Sequence, residues 1–207
     1  MNPSVRSSLL PWLLACALPA TAQDLASFEK QVTYKTLANG LRVIVVEAKG
    51  APVFSFSNRV MTGSDREVLG ITGLAHMFEH MAFKGTDVIG TTNYAAEKAA
   101  LAKVETAYAA YDTARRQPGR DDKKVADLEK AFKAAVAEAD AFVVKNEFGE
   151  IVDREGGVGL NASTNADETQ YYYSLPANRF ELWAYLESER FLKPVMREFY
   201  KERDVVN

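Results

Sequence analysis

The residues of this chain that are best suited to chemistry lie within residues 73–86. His76 and His80, the only two histidines, are four residues apart, and Glu79 directly precedes the second. On a helix this spacing places both imidazoles on one face, where their ring nitrogens can bind a single zinc ion. Zinc lowers the pKa of a water molecule to roughly 7, and a nearby carboxylate can then accept the proton as a general base. The spacing therefore predicts a site for one Zn²⁺, with His76 and His80 as ligands and Glu79 as the base.

The surrounding sequence predicts a helix for this motif. Leu74, Met77, Phe78 and Met81 follow helical spacing, which predicts a largely buried helix with both histidines at a pocket wall. Thr72 is the predicted N-cap. The order His-x-x-Glu-His is the reversed zincin signature. The alternative is an amphipathic helix that carries two histidines, one of them capped by a carboxylate.

Composition limits the classes of protein to which the chain can belong. Its 207 residues are 47% hydrophobic, enough for the core of one domain. The formal net charge of −3 argues against a nucleic-acid partner and against a polybasic membrane surface. No run after the N-terminal segment approaches the length of a transmembrane helix.

The first 22 residues predict a secretory signal peptide. A weakly basic start and a short apolar run precede Ala20-Thr21-Ala22, a small-x-small cleavage site. The only cysteine, Cys16, lies in this segment, so cleavage after Ala22 leaves no thiol for a disulfide or a metal. An alternative is a lipoprotein box at residues 13–16, with Cys16 lipidated. Both predict export, and the style of the signal resembles that of a Gram-negative bacterium, which predicts a periplasmic protein.

Hydrophobic periodicity predicts a mixture of strands and helices. Residues 32–46 form a hairpin around Asn39-Gly40, and residues 53–57 form a third strand that extends the same half-buried antiparallel sheet. Long helices follow at 92–117 and 121–146, on either side of Pro118-Gly119, and are predicted to form a helical hairpin. A strand at 170–175, a helix at 178–191 and a last helix from 195 complete this mixture of strands and helices.

Two further segments leave more than one interpretation open. Residues 155–164 are glycine-rich but lack the lysine of a phosphate-binding loop. They form either a tight turn before a strand or an exposed strand edge that pairs with an extended peptide. Glu202 shares an apolar helical stripe with Phe199 and Val206, and the alternative there is a stray surface glutamate.

Taken in order, four blocks of the chain resemble the M16 metallopeptidases, the group of pitrilysin, insulysin and mitochondrial processing peptidase. The resemblance spans roughly residues 33–207, and the hairpin resembles an insertion of a bacterial subgroup of larger, exported members. It identifies the chain as an N-terminal domain fragment of such a protein. It implies an α+β fold with an antiparallel sheet flanked by helices, into which the long hairpin at 93–146 is inserted. The blocks are residues 37–41 (LANGL), 73–86 with their HxxEH motif, 159–164 (GLNAST) and 202–206 (ERDVV).

The resemblance implies roles for particular residues. His76 and His80 would bind zinc and Glu79 would act as the base, while Asn161 and Ala162 would lie on an edge strand that pairs with the substrate backbone. It also implies peptide or unfolded polypeptide substrates. A second, homologous half, in the same full-length chain or in a partner, would help to bind them. Glu202 matches the acid of the family's ERxVVxEE block, which supports the metal site from behind its ligands.

The chain departs from the family pattern at the third ligand. In the family this is a glutamate seven residues after that acid, which here falls two residues beyond Asn207. We therefore expect a zinc metalloendopeptidase at full length and an inactive or nearly inactive fragment, unless Glu198 or Glu202 substitutes. A non-catalytic M16-like scaffold or partner subunit is the alternative. S-ribosylhomocysteine lyases also use HxxEH, but they need a cysteine, which the mature chain lacks.

Overall fold

The structure is a computed structural model that describes residues 25–206. The predicted signal peptide at 1–22, including Cys16, lies outside the described residues. The chain divides into two compact units, residues 1–51 and 52–207. None of the helices in the described part combines the length and the apolar character that crossing a bilayer requires.

The described part of the first unit is a short helix followed by a hairpin. Helix α1 (Leu25–Glu29) precedes strands β1 (Val32–Thr36) and β2 (Arg42–Val46), which pair antiparallel with Val32 opposite Val46. The Leu37 amide donates to the Leu41 carbonyl at 2.8 Å, so the loop contains residues 38–40. The hairpin predicted from Asn39-Gly40 is confirmed, and it forms a two-stranded sheet of its own.

The second unit contains the rest of the α+β fold, and the predicted fold class is confirmed. The strand that follows the first hairpin pairs with later strands and not with the hairpin, so the single extended sheet expected there is wrong. The elements are β3 (Val53–Val60), α2 (Leu74–Met81), α3 (Tyr94–Arg116), α4 (Asp122–Asp140), α5 (Glu147–Arg154), β4 (Val158–Thr164), β5 (Thr169–Pro176), α6 (Phe180–Leu192) and α7 (Phe199–Val206).

The sheet of this unit has the strand order β3-β5-β4 and is antiparallel throughout. In the central strand, Tyr171, Tyr173 and Leu175 are buried because alternate side chains of a strand point to one face. Strand β4 pairs with β5 through Ala162 opposite Tyr171, with a register shift between Val158 and Asn161. In this sheet β4 is an edge strand, as the glycine-rich segment was expected to be.

Helix α5 was not predicted, and the second long helix was expected to continue to residue 146. In the structure α4 ends at Asp140, and the backbone then pairs with residues 90–92. The Thr92 amide donates to Phe142, and the Val144 amide donates to Gly90. These bonds replace helical ones, and the new helix buries Phe148 and Val152 against the sheet.

The long hairpin of α3 and α4 supports α7 at its base. Val104 and Ala139 of the hairpin form one core cluster with Tyr200 of α7. Helix α7 begins at Phe199 instead of the expected residue 195, since Glu198 has a left-handed backbone with φ of 58°. The hairpin therefore fixes the position of the last helix.

A buried arginine joins three segments near this base. Arg197 donates to both carboxylate oxygens of Glu97 on α3, at 2.6 and 2.9 Å. It also donates to the carbonyls of Lys84, Thr86 and Ile89, which follow α2. Arg197 and Glu97 are both fully buried, so each charge compensates the other, and the three carbonyls further stabilise the guanidinium.

Candidate metal centre

The motif helix α2 brings its two histidines together. Nε2 of His76 and Nε2 of His80 lie 3.1 Å apart, with ring centroids at 4.7 Å. Two zinc–nitrogen bonds of about 2.0–2.1 Å at a tetrahedral angle would separate the nitrogens by roughly 3.3 Å. Imidazole nitrogen is also a preferred ligand for zinc. The pair therefore fits one zinc ion.

The other nitrogen of His80 is held by Glu202 of α7. His80 Nδ1 lies 2.9 Å from Glu202 Oε2, so the imidazole can donate its Nδ1 proton to the carboxylate. Such a bond sets the tautomer and leaves the Nε2 lone pair free for a metal. Glu202 is thus not a stray surface glutamate in this structure but lies behind a histidine.

Lys84 holds this carboxylate in turn. Its Nζ lies 2.6 Å from Glu202 Oε1 and 3.1 Å from Glu198 Oε2. Burial by itself raises the pKa of Glu202, but hydrogen bonds from Lys84 and His80 outweigh it and hold this pKa below its usual range. Burial likewise lowers the pKa of Lys84, and the two glutamates outweigh it and raise this pKa. Sequence analysis did not single out Lys84, although it lies one helical turn after His80.

No third metal ligand joins the pair within residues 25–206, where no group of three histidine, cysteine or acidic side chains converges. Glu202 contacts His80 at Nδ1, on the side away from His76. Glu198 accepts from Lys84 and from Lys201. Neither glutamate therefore completes the ligand set in this structure, and the expected ligand beyond Asn207 stays a prediction.

Glu79 and His76 face a common cleft of about 470 Å³. Glu79 is only 9% exposed, and the residues that line the cleft also include Ala162 and Thr164 of β4. His80 is not among the residues that line this cleft, so only one of the two histidines lies at the expected pocket wall.

The motif helix is also less buried than its sequence predicted. Met77 and Met81 are buried, whereas Leu74 is 37% exposed and Phe78 is 50% exposed. Helical spacing showed that apolar side chains recur along the helix. It could not show which side of the helix is covered by the sheet and α7.

A pair of threonine hydroxyls supports Glu79 from the sheet. Thr164 Oγ1 donates to Glu79 Oε2 at 2.5 Å and lies 3.1 Å from Thr169 Oγ1, which donates to the Thr62 carbonyl. Each hydroxyl has one proton. If Glu79 is ionised, Thr164 donates to it; if Glu79 carries a proton, Glu79 donates to Thr164 and Thr164 donates to Thr169. The pair accommodates both forms, and sequence analysis missed it because nothing marks these threonines locally.

Asn161 and Ala162 lie on the edge strand, as expected. The Ala162 amide donates to the Asn161 side-chain oxygen at 2.9 Å, and Asn161 itself is exposed. A peptide can pair with a strand edge through its backbone groups, so the exposed Asn161 side chain would have to release this N–H before a substrate could accept from it.

Glu67, and not Thr72, caps the start of the motif helix. Its two carboxylate oxygens accept from the amides of Gly73 and Ala75, each at 2.8 Å. These bonds lower the pKa of Glu67. The prediction of Thr72 as the N-cap is wrong, because Gly73 occupies the cap position and a carboxylate reaches it from six residues upstream.

The loop that carries Glu67 packs tightly on the turn after β4. The Ser64 amide donates to the Asn165 carbonyl at 3.1 Å, and the Asp65 amide donates to Ala166 at 3.0 Å. A Cβ atom at Gly63 would lie 2.1 Å from the Asn165 oxygen, so only glycine fits there. This contact closes one end of the cleft.

Comparisons with known proteins bear on the family and the fold of this chain. Residues 42–115 match the family described as insulinase, peptidase family M16. The crystal structure of a protease from Helicobacter pylori is similar in fold, with 26% sequence identity and a TM-score of 0.54. The alignment covers 84% of this chain, which spans 29% of the length of that protease. No curated protein matches the chain at a significant level. The resemblance to the M16 peptidases is thus confirmed, and this chain carries a peptidase-type scaffold of that kind.

Proposed function

We propose that this chain supplies zinc-binding and proton-transfer residues of a zinc metalloendopeptidase. The observation that carries the proposal is the His76–His80 pair, whose facing nitrogens are 3.1 Å apart, with Glu79 in the same cleft as His76. Glu202 behind His80 adds a partner typical of metal-binding histidines.

Each residue has a task that follows from its position. His76 and His80 would hold the zinc ion, and Glu202 would keep the Nδ1 proton of His80 in place. A bound zinc ion supplies Lewis-acid chemistry, which polarises a peptide carbonyl and acidifies water. Glu79 would accept a proton from a water molecule in the cleft and pass it to the leaving amine.

The substrate in this proposal is an extended or unfolded polypeptide. It would pair with the edge of β4 next to Asn161 and Ala162, which places its backbone beside Glu79 across the cleft. We also propose that a third ligand and a second homologous half come from elsewhere in the full-length protein or from a partner, and that the protein is exported to the periplasm.

The first test compares zinc content with peptide hydrolysis in the protein at its full natural length. We expect one zinc ion per site and cleavage of an unfolded polypeptide. His76→Ala abolishes both, whereas Glu79→Gln keeps the zinc and loses cleavage. Glu150→Gln, at an exposed glutamate of α5, is the matched control and changes neither.

Two outcomes contradict the proposal. Absence of zinc from the full-length protein contradicts the metal site itself. Zinc binding without cleavage of any unfolded polypeptide favours the non-catalytic scaffold instead. Repeating the zinc measurement on a chain that ends at Asn207 tests the third ligand, since equally tight binding there places that ligand within the present sequence.

A further inference from the structure

We propose that Thr164 is a positioning residue for Glu79, so that the strand that faces the substrate also orients the base. This inference rests on the proposed function. It adds a role for a side chain that neither binds the metal nor reacts.

The contact between the two side chains is short and largely shielded from water. Thr164 Oγ1 lies 2.5 Å from Glu79 Oε2, which is the range of a hydroxyl donating to an ionised carboxylate. The buried Glu79 accepts no other side-chain or backbone hydrogen bond from the part of the chain that the structure describes. Its Oε1 is thereby left for a water molecule in the cleft.

Thr164 is itself fixed from behind. Thr169 is buried, and its Oγ1 lies 3.1 Å from both Thr164 Oγ1 and the Thr62 carbonyl oxygen. While Thr164 donates to Glu79, the single Thr169 proton goes to one of these two oxygens, and Thr169 restrains the Thr164 hydroxyl when it donates to it. A threonine side chain has few rotamers because it is β-branched. The hydroxyl of Thr164 therefore has a defined direction, and so does the carboxylate that it holds.

The location of Thr164 links this contact to the substrate. It is the last residue of β4, two positions after Ala162, and it lines the same cleft as His76 and Glu79. A peptide that pairs with the edge of β4 would order this strand and, through Thr164, the carboxylate. The alternative is that Thr164 only satisfies a buried acid, in which case its loss affects stability and not the rate of the chemical step.

The kinetic test uses the zinc-loaded protein at full natural length. Thr164→Val keeps the shape but removes the hydroxyl, and we expect kcat to fall on the order of 100-fold, as for a small misplacement of a catalytic group. KM and zinc content stay unchanged. Thr164→Ser restores the hydroxyl and most of kcat. Unchanged kcat in Thr164→Val, or a loss confined to KM or zinc content, overturns the inference.

A second test does not depend on activity or metal. A double-mutant cycle of Thr164→Val and Glu79→Ala, followed by thermal unfolding of the zinc-free protein, measures whether the two side chains are coupled. We expect non-additive shifts in Tm. The matched cycle with Ser163→Ala is additive, since the Ser163 hydroxyl contacts Gln170 instead.

The two tests separate failure of this inference from failure of the proposed function. Additive shifts in the Thr164 cycle overturn the inference, whatever the enzyme activity. Coupled side chains with unchanged kcat overturn it while the peptidase proposal stands. A zinc-loaded wild-type protein that cleaves nothing overturns the peptidase proposal and this role together, although the coupling remains.

Discussion

The two histidines of the candidate metal centre are held in different ways. His76 lies in the first turn of α2, which is anchored by the nearby Glu67, and its cleft side is polar and open to water. His80 is held by Glu202, which follows it by 122 residues and is carried by a separate helix. One histidine thus depends on a local cap and the other on the packing of a remote element.

That remote element is fixed by the long helical hairpin, to which sequence analysis assigned no site residue. On α7, the Tyr200 ring packs 4.3 Å from Tyr108, and its hydroxyl donates to Glu105 at 2.9 Å. Arg203 donates to the Tyr108 hydroxyl at 2.8 Å. Because Glu202 lies between these residues, the hairpin determines where the partner of His80 is placed. The comparison predicts that substitutions on the hairpin side affect the metal centre from a distance. Substitutions on the cleft side should affect only the residues around them.

The largest effect is expected at Arg197, on the hairpin side. Arg197→Met removes five hydrogen bonds and leaves Glu97 buried without a partner. Breaking such a pair lowers the free energy of unfolding by about 3–5 kcal/mol. Chemical denaturation measures it. Arg116→Met, at a side chain that is 70% exposed, is the control and changes the free energy by less than about 0.5 kcal/mol. Similar losses in both variants would contradict the role of Arg197.

Glu202→Ala is expected to act next most strongly, and on the metal more than on the fold. It removes the acceptor for His80 Nδ1, and loss of such a partner lowers metal affinity about 10–100-fold. Zinc titration of the full-length protein measures this. Asp204→Ala, on the same helix and at a side chain that is 69% exposed, leaves the affinity unchanged. Equal affinities in both variants would show that His80 needs no fixed partner.

On the cleft side, Glu67→Gln tests the local cap. The Gly73 and Ala75 amides each donate to a different carboxylate oxygen, so replacing one oxygen by an uncharged NH2 group removes one of these bonds together with the negative charge. We expect a lower Tm and a smaller loss of zinc affinity than in Glu202→Ala. Thr72→Ala is the matched control and has no effect on either, because Thr72 is not the cap. If Thr72→Ala has the larger effect, the assignment of the cap is wrong.

The smallest effect is expected from pH, through the cluster of Lys84, Glu198 and Glu202. The pKa of both glutamates is lowered in the folded protein, against the opposing effect of burial, by Lys84 and their other hydrogen-bonding partners. Their contribution to stability is therefore present above the unfolded pKa of about 4.3 and is lost as pH falls through the folded values. Lys84 has a raised pKa, so its contribution is present below about pH 10.4 and is lost as pH rises through the folded value.

Unfolding curves of wild type and Lys84→Met between about pH 3 and about pH 7 test this linkage, because the two carboxylates titrate within that range. The difference between the two proteins should shrink towards acid. A difference that grows on acidification would reverse the sign and contradict the ion pairs seen between Lys84 and the two glutamates.

Much of the fold follows from local pattern. The Asn39-Gly40 hairpin, the two long helices and the strand at β5 lie close to where turn residues and hydrophobic periodicity predicted them. The errors lie where long-range backbone pairing replaced a local preference. Residues 141–146 were expected to be helical, but their backbone pairs with residues 90–92 instead. Strand β3 was expected to pair with the first hairpin, but it pairs with β5.

The sequence by itself determined the histidine pair and its glutamate, because a spacing of four residues on a helix fixes their relative positions. For the glycine-rich segment it left a tight turn and a strand edge both open, and only the family resemblance favoured the edge. Only the tertiary structure decided what surrounds them: Thr164 with Glu79 across 85 residues, Glu202 with His80 across 122, and Arg197 with Glu97 across 100. Contacts between side chains so far apart leave no period in the sequence, since they depend on how helices and strands pack and not on the geometry of any one of them.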